Sequence, residues 1–98
     1  MASVYILFSE KVNRFYTGSC LYLNERIADH LSGKYSNSYT IVAKDWKLYF
    51  SINDLDEYTA RKIESHIKRM RSTKYIADLL KYPEMTEKLI LRFSVSKK

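Results

Sequence analysis

The sequence predicts an α/β domain in which a small, mainly antiparallel three-stranded sheet is flanked by helices. Two short apolar runs separated by a polar loop predict a β-hairpin at the N-terminus. A segment with helical spacing follows, and a third apolar run precedes two further helical segments. The order strand, strand, helix, strand, helix, helix contains no linker and no internal repeat, so residues 1–98 are expected to form one domain.

The first predicted strand covers residues 3–8. Its alternation places Tyr5 on the opposite face from Val4 and Ile6, and both faces are apolar. A strand of this kind is expected to be covered on both sides.

The second predicted strand covers residues 15–20 and places Tyr16 and Gly18 on one face. A glycine there lets another backbone or a phosphate approach closely, and a simple bulge is the alternative. The alternative for the tyrosines of both strands is packing, because aromatic residues commonly fill strands. Cys20 has no second cysteine for a disulfide or a zinc site, so we expect a buried thiol at the strand end.

The first predicted helix covers residues 23–32, where apolar side chains recur every fourth residue and a glycine follows. Arg26 and His30 lie one turn apart on the margin of its apolar face. An arginine in that position can bind a phosphate through a planar, bidentate pair of hydrogen bonds. The alternatives are a surface cation for Arg26 and a half-buried structural histidine for His30.

The segment after this helix begins with a polar loop, residues 33–39, in which Lys34 is a candidate phosphate contact. Residues 40–52 predict a long or bent third strand, interrupted near Asp45. Trp46 is expected to be a packing anchor, and stacking on an unpaired base is a second possible role.

The second predicted helix covers residues 58–71, and Asp54 with Glu57 predicts a capping box at its start. Glu64 is the only carboxylate within this helix, which is otherwise rich in Lys and Arg. A magnesium ion often takes one protein carboxylate, with waters and phosphate oxygens completing its shell. The alternative for Glu64 is an ordinary i,i+4 ion pair with Lys68.

The last third of the chain predicts two more helical segments. Ser72 or Thr73 is expected to cap a helix that runs to Lys81 and stops at the Tyr-Pro pair that follows. Residues 86–91 predict a short final helix, and the closing sequence LRFSVSKK is expected to be a strand or a frayed tail.

The charge of the chain suits an anionic partner. Seventeen Lys and Arg against eleven Asp and Glu give a formal net charge of +6. Each phosphate that a Lys or Arg neutralises releases counterions, which favours binding to nucleic acid. Ordinary solubility is the alternative reading. No run of eighteen or more apolar residues and no signal-peptide pattern is present, so we expect no membrane span, no secretion and a cytoplasmic location.

Four separated features occur along the chain in a fixed order: Tyr5-Ile6 in the first strand, Tyr16-Thr17-Gly18 in the second, Arg26 with His30 on the first helix, and Glu64 on the second helix. In kind and order they resemble the motifs of the GIY-YIG endonuclease family. The resemblance extends over about residues 3–72 and is closest to short, stand-alone members related to the nuclease domain of the excision-repair incision enzyme.

The resemblance implies a metal-dependent endonuclease that hydrolyses DNA phosphodiester bonds, structure-specific or repair-related, with one Mg²⁺ or Mn²⁺. Tyr5 would act as general base or orient the attacking water, and Tyr16 would support the site. Arg26 would hold the scissile phosphate, His30 would assist proton transfer or water positioning, and Glu64 would ligate the metal. Free tyrosine has a pKa of about 10, so a base role requires the metal or Arg26 to favour the anion.

The partner implied by the resemblance is DNA, duplex or branched, with RNA also open, and the protein is expected to be a monomer. Contacts to the phosphate backbone are expected from Lys34, Arg61, Lys68 and Arg71. Two other classes stay open. A binding module without cleavage would bind DNA independently of Mg²⁺, and a structural or interaction protein would show no salt-dependent DNA binding.

Overall fold

The computed structural model describes the backbone of residues 1–32 and 45–94 and the side chains of residues 1–29 and 45–94. In chain order its elements are β1 (Ala2–Ser9), β2 (Arg14–Cys20), α1 (Leu23–Ser32), β3 (Lys47–Leu55), α2 (Glu57–Met70), α3 (Thr73–Lys81) and α4 (Pro83–Phe93). The strands form one antiparallel sheet in the order β2-β1-β3. The predicted α/β class, a small antiparallel sheet flanked by helices, is confirmed.

An aliphatic core fills the space between the sheet and α2. Val4 and Ile6 of β1 pack there with Ile63 and Ile67 of α2, and all four side chains are buried. Their spacing is two residues in the strand and four in the helix, which is the alternation and the helical stripe expected for facing surfaces. We call this side of the sheet the aliphatic face.

A second, smaller cluster lies on the opposite side of the sheet, under α1. Tyr5, Leu7, Cys20 and Trp46 are buried in it, and side chains of α1 pack against them. We call this side the aromatic face. Trp46 is only 2% exposed, so its predicted packing role is confirmed and its ring has no free face for a base. Cys20 is buried as predicted, and burial raises the pKa of its thiol.

The third strand differs from its prediction. It begins at Lys47 and not at residue 40, and it continues to Leu55; residues 40–44 lie outside the described part of the chain. Asp45 lies before the strand, and its carboxylate is bound to the hairpin turn. It accepts hydrogen bonds from Ser9 Oγ at 2.5 Å and from the Lys11 amide at 3.0 Å, across the turn of the hairpin.

The start of α2 also differs from its prediction. The N-cap is Asp56, whose carboxylate accepts a hydrogen bond from the Thr59 amide at 3.0 Å. The capping box proposed from Asp54 and Glu57 was wrong by two residues: Asp54 is still part of β3, next to its last residue, and has a positive φ of 62°. The helix ends one residue earlier than predicted, and Arg71 forms its C-cap in the left-handed conformation.

The two C-terminal helices follow directly. Ser72 caps α3 as predicted, since its hydroxyl accepts a hydrogen bond from the Tyr75 amide at 3.1 Å. The last helix is longer than predicted because Pro83 occupies its first turn, where a proline is pre-organised for helix and loses no hydrogen bond. It runs to Phe93, so the strand or frayed tail proposed for the end of the chain was wrong up to that residue. Among the described residues no helix is long and apolar enough to cross a membrane.

Candidate active site

Tyr5 and Gly18 are direct partners in the antiparallel ladder between β1 and β2. The Tyr5 ring lies across the glycine so closely that a Cβ atom at position 18 would be 2.6 Å from the Tyr5 hydroxyl oxygen. The close approach that a strand glycine permits is therefore made here by a tyrosine side chain. Gly18 determines where the hydroxyl of Tyr5 lies.

The hydroxyl of Tyr5 is buried beside the guanidinium of Arg26. Burial raises the pKa of Tyr5, and the neighbouring Tyr16 raises it further. Arg26 acts in the opposite direction, through its charge and through a hydrogen bond to the Tyr5 hydroxyl, and it does not reverse the shift. Tyr5 is therefore protonated at neutral pH, which suits a group that orients a water more than one that removes a proton.

Tyr16 lies between Tyr5 on the aromatic face and Lys68 on α2. Its ring centroid is 6.3 Å from that of Tyr5, at an interplanar angle of 42°. On its other side, Nζ of Lys68 is 5.8 Å from the centroid of the Tyr16 ring. The half-buried Tyr16 ring thus joins the buried Tyr5 to helix α2.

Both carboxylate oxygens of Glu64 have partners. Ser19 Oγ donates a hydrogen bond to Oε1 at 2.6 Å, and Nζ of Lys68 lies 2.7 Å from Oε2. The i,i+4 pair considered from the sequence is therefore present. The Glu64 side chain is 20% exposed, so its carboxylate remains within reach of a solvent-borne ion.

These contacts form a continuous path around the outer edge of β2. Of the described strands, β2 pairs only with β1, which leaves its other edge open. The path runs from Arg26 through the two tyrosines to Lys68 and Glu64. Predicted site residues that are far apart in the sequence, on β1, β2, α1 and α2, therefore lie together.

Two clefts flank this edge. The mixed-charge cleft has a volume of about 300 Å³ and contains Ser19, Glu25, Arg26, Asp29, Glu57 and Arg61 in its lining. The basic cleft has a volume of about 510 Å³ and contains Arg14, Tyr16, Lys68, Arg71 and Ser72 in its lining. Residues of the contact path line both clefts, Arg26 in the first and Tyr16 with Lys68 in the second.

The family model of the GIY-YIG catalytic domain matches residues 1–76. The chain belongs to the GIY-YIG family. Members are endonucleases and generally use a divalent metal, and the sequence resemblance is confirmed. The match covers β1 through α2 and part of α3, so it includes the whole contact path. Searches of curated proteins and of solved structures found no match.

Some predicted residues of this GIY-YIG domain are not placed with the others. The side chain of His30 and the whole of Lys34 lie outside the described residues. Arg61 is exposed on α2 and lines the mixed-charge cleft. The other two predicted DNA contacts on α2, Lys68 and Arg71, line the basic cleft on the far side of the β2 edge.

Two residues of the GIY-YIG site were not anticipated from the sequence. Ser19 holds Glu64, and the available signal was its alternation with Gly18, which turns its side chain toward α2. Arg14 lines the basic cleft, and the sequence placed it in the polar loop before the second strand. Both depend on how β2 lies against α2, which the local pattern does not specify.

The metal that the family uses can be tested against the side chains of this site. Among the described residues no group of three or more His, Cys, Asp and Glu could hold a metal ion. Glu64 supplies one partly accessible carboxylate, and one carboxylate suffices for magnesium when waters and phosphate oxygens complete the shell. A cation at Oε2 has to displace the Lys68 ammonium. The residues fit a one-carboxylate site and do not form a protein cage.

Proposed function

We propose that this GIY-YIG domain hydrolyses phosphodiester bonds of DNA with a single Mg²⁺ or Mn²⁺ held by Glu64. The observation that carries the proposal is the contact path around the β2 edge. It connects an arginine, two tyrosines and a carboxylate that come from four separate elements. Family membership supports the nuclease class.

Arg26 would bind the scissile phosphate. Its guanidinium is held by the Tyr5 hydroxyl on one side, and it also lines the mixed-charge cleft. A planar guanidinium can donate two parallel hydrogen bonds to phosphate oxygens. Held in place in this way, it stabilises the charge that grows on those oxygens in the transition state.

The tyrosines would position the attacking water. In hydrolysis the water oxygen bonds to phosphorus, the bond from phosphorus to one flanking nucleotide oxygen breaks, and the water loses a proton. Burial raises the pKa of Tyr5, which favours a role in orienting the water, with Tyr16 supporting its ring. We propose His30, one helical turn after Arg26, as the group that assists the proton transfer.

Glu64 would hold the divalent cation. When bound, the cation would neutralise negative charge on the phosphate oxygens and the leaving oxygen. Ser19 fixes the carboxylate by donating to Oε1, which leaves Oε2 for the exchange between Lys68 and the cation. Lys68 thus occupies in the free protein the position of positive charge that the cation would take.

One observation favours a second function. Both oxygens of Glu64 are satisfied by protein groups, and a neighbouring cleft carries three cations, Arg14, Lys68 and Arg71. A domain that binds DNA without cleaving it would have these same features. Such a module would bind DNA with an affinity that neither Mg²⁺ nor Glu64→Gln changes.

The experiment that separates the two functions is incubation with labelled flap, branched, single-stranded and duplex DNA, together with an RNA strand, in Mg²⁺, Mn²⁺ or EDTA. We expect metal-dependent cleavage, and a preference for flaps or branches would support structure-specific, repair-related action. Binding without cleavage in every lane would reject the nuclease proposal. Equal cleavage in EDTA would reject the role of the metal.

The Glu64→Gln variant is the decisive single substitution. It keeps the shape of the side chain and the bond from Ser19, and it removes the charge that would anchor the cation. We expect an intact fold, retained or tighter DNA binding and abolished cleavage. Glu87→Gln, at an exposed position on α4, is the matched control and should cleave like the parent. Cleavage by Glu64→Gln at the parental rate would place the metal elsewhere.

A further inference from the structure

The two clefts beside the β2 edge differ in charge. The described lining of the mixed-charge cleft contains two arginines and three carboxylates, those of Glu25, Asp29 and Glu57. The described lining of the basic cleft contains three cations and no carboxylate. A nucleic-acid backbone carries one negative charge per nucleotide, so it is attracted by the second lining and repelled by much of the first.

Arg71 is held in the basic cleft by an unusual backbone conformation. It is the C-cap of α2 with φ 48° and ψ 43°, the left-handed region in which glycine is the least strained residue. Its exposed side chain makes no ion pair with the residues that the structure describes. An arginine kept at a position that favours glycine, with no ion pair among the described residues, supports the hypothesis that its charge binds a ligand.

Arg14 faces the same cleft from the other side. It begins β2 directly after Asn13, which turns the hairpin with a positive φ of 52°. The turn is fixed by the hydrogen bonds to Asp45, so the start of β2, where Arg14 lies, follows a supported turn. The cleft therefore has a cation on each wall, one from the hairpin and one from the end of α2.

Lys68 joins the basic cleft to the catalytic carboxylate. Its ammonium lies 2.7 Å from Oε2 of Glu64, and the residue is part of the cleft lining. If a cation were held by Glu64, the half-exposed Lys68 side chain would be free to turn toward the cleft. The basic cleft thus adjoins the proposed metal ligand.

We propose that the basic cleft binds the sugar–phosphate backbone on one side of the scissile phosphate, and that the mixed-charge cleft binds no further backbone beyond the scissile phosphate that Arg26 holds. This inference rests on the proposed nuclease function. The domain would then grip its substrate asymmetrically. It would need several nucleotides on one side of the cut and would accept a strand that ends or branches within a few nucleotides on the other.

A truncation series tests the asymmetry. The cut is first mapped on a long substrate, and the DNA is then shortened from either side of it. We expect affinity for the Glu64→Gln protein to fall at least tenfold on shortening one side and less than twofold on the other. Equal losses on both sides would overturn the proposal.

A charge-matched pair of variants tests the cleft itself. Arg14→Ala combined with Arg71→Gly removes the cation from each wall of the basic cleft. Glycine adopts the left-handed conformation at position 71 without strain, so the helix cap is kept. We expect the slope of log affinity against log salt to decrease by about 1.8 for duplex, since each phosphate contact contributes about 0.9. The control, Lys62→Ala with Arg69→Ala, removes two charges of α2 outside both clefts and should change the slope by less than half as much.

The two proposals fail in different ways. A parent protein that cleaves no substrate rejects the nuclease function, while the salt slopes still decide whether the basic cleft binds DNA. A parent that cleaves, together with an Arg14→Ala/Arg71→Gly protein whose slope equals that of the control, rejects the cleft and leaves the nuclease function standing.

Discussion

The two faces of the sheet are built from different side chains. The aliphatic face buries Val4, Ile6 and their partners on α2, and its described core is aliphatic apart from buried threonines such as Thr17, the β2 partner of Ile6. The aromatic face buries a hydroxyl, Tyr5, beside the guanidinium of Arg26. The first arrangement maximises apolar burial, and the second positions polar groups at some cost in packing. The comparison indicates that stability and chemistry are divided between the faces and meet only at the β2 edge.

The largest effect on stability is expected from the aliphatic face. Ile63 on α2 is completely buried, so Ile63→Ala leaves a cavity and should lower the free energy of unfolding by about 2–5 kcal/mol. Urea denaturation measures it. Below the unfolding transition, cleavage should stay close to that of the parent. A loss under 1 kcal/mol would show that this face is not the main core.

Within the aromatic face, the largest effect on catalysis is expected from Arg26. Arg26→Ala removes the donor for the scissile phosphate and should slow cleavage by about 10² to 10³, or roughly 2.7–4 kcal/mol in the barrier. Single-turnover kinetics measure it. Arg26→Lys should recover only part of the rate, because an ammonium lacks the bidentate fork. A parental rate for Arg26→Ala would remove this residue from the site.

Gly18→Ala tests whether the position of the Tyr5 ring affects both stability and cleavage. The new methyl group would lie 2.6 Å from the Tyr5 hydroxyl oxygen, so the ring has to move, at a cost of about 1–3 kcal/mol in stability. We also expect slower cleavage, because the hydroxyl is displaced. The same change in a Tyr5→Leu background should cost much less. Additive effects in that double-mutant cycle would mean that the ring and the glycine do not interact.

The smallest effect is expected at the junction of the two faces. Lys68 pairs with Glu64 and is half exposed, so Lys68→Ala should change stability by only about 0–1 kcal/mol. Lys68→Ala should also raise the affinity for Mn²⁺ by up to about fivefold, which corresponds to the same free energy, because the competing ammonium is gone. Calorimetric titration with Mn²⁺ measures this. Lys74→Ala, which breaks the comparable pair with Asp78, is the control; equal Mn²⁺ affinities for both variants would contradict the competition.

Periodicity was sufficient to predict most of the fold. The hairpin, α1 and α3 were found because strand alternation and helical stripes are local features. The errors lie where distant contacts decide between similar local options. Asp45 reads as strand until its bonds to the hairpin turn are seen, and the choice of Asp56 over Asp54 as the helix cap depends on where β3 leaves the sheet.

The candidate site, like the fold, could be predicted only in part from the sequence. Tyr5, Tyr16, Arg26 and Glu64 could be named because their order along the chain matches the family motifs, and the structure brings them together. Their roles stay predictions. The partner of Glu64 could not be found from the sequence, since the bond from Ser19 depends on the position of α2 over the edge of the sheet.

The bond between Asp45 and the hairpin turn has a consequence for exchange of backbone hydrogens with solvent. The Lys11 amide donates to this carboxylate from an exposed turn, so it should exchange slowly although solvent reaches it. Hydrogen bonds, first from Ser9 and then from Lys11, lower the pKa of Asp45. The stabilisation is therefore present above the ordinary aspartate pKa of about 3.9 and is lost as pH falls through the lowered value. In acid the turn that carries Arg14 would open before the rest of the sheet.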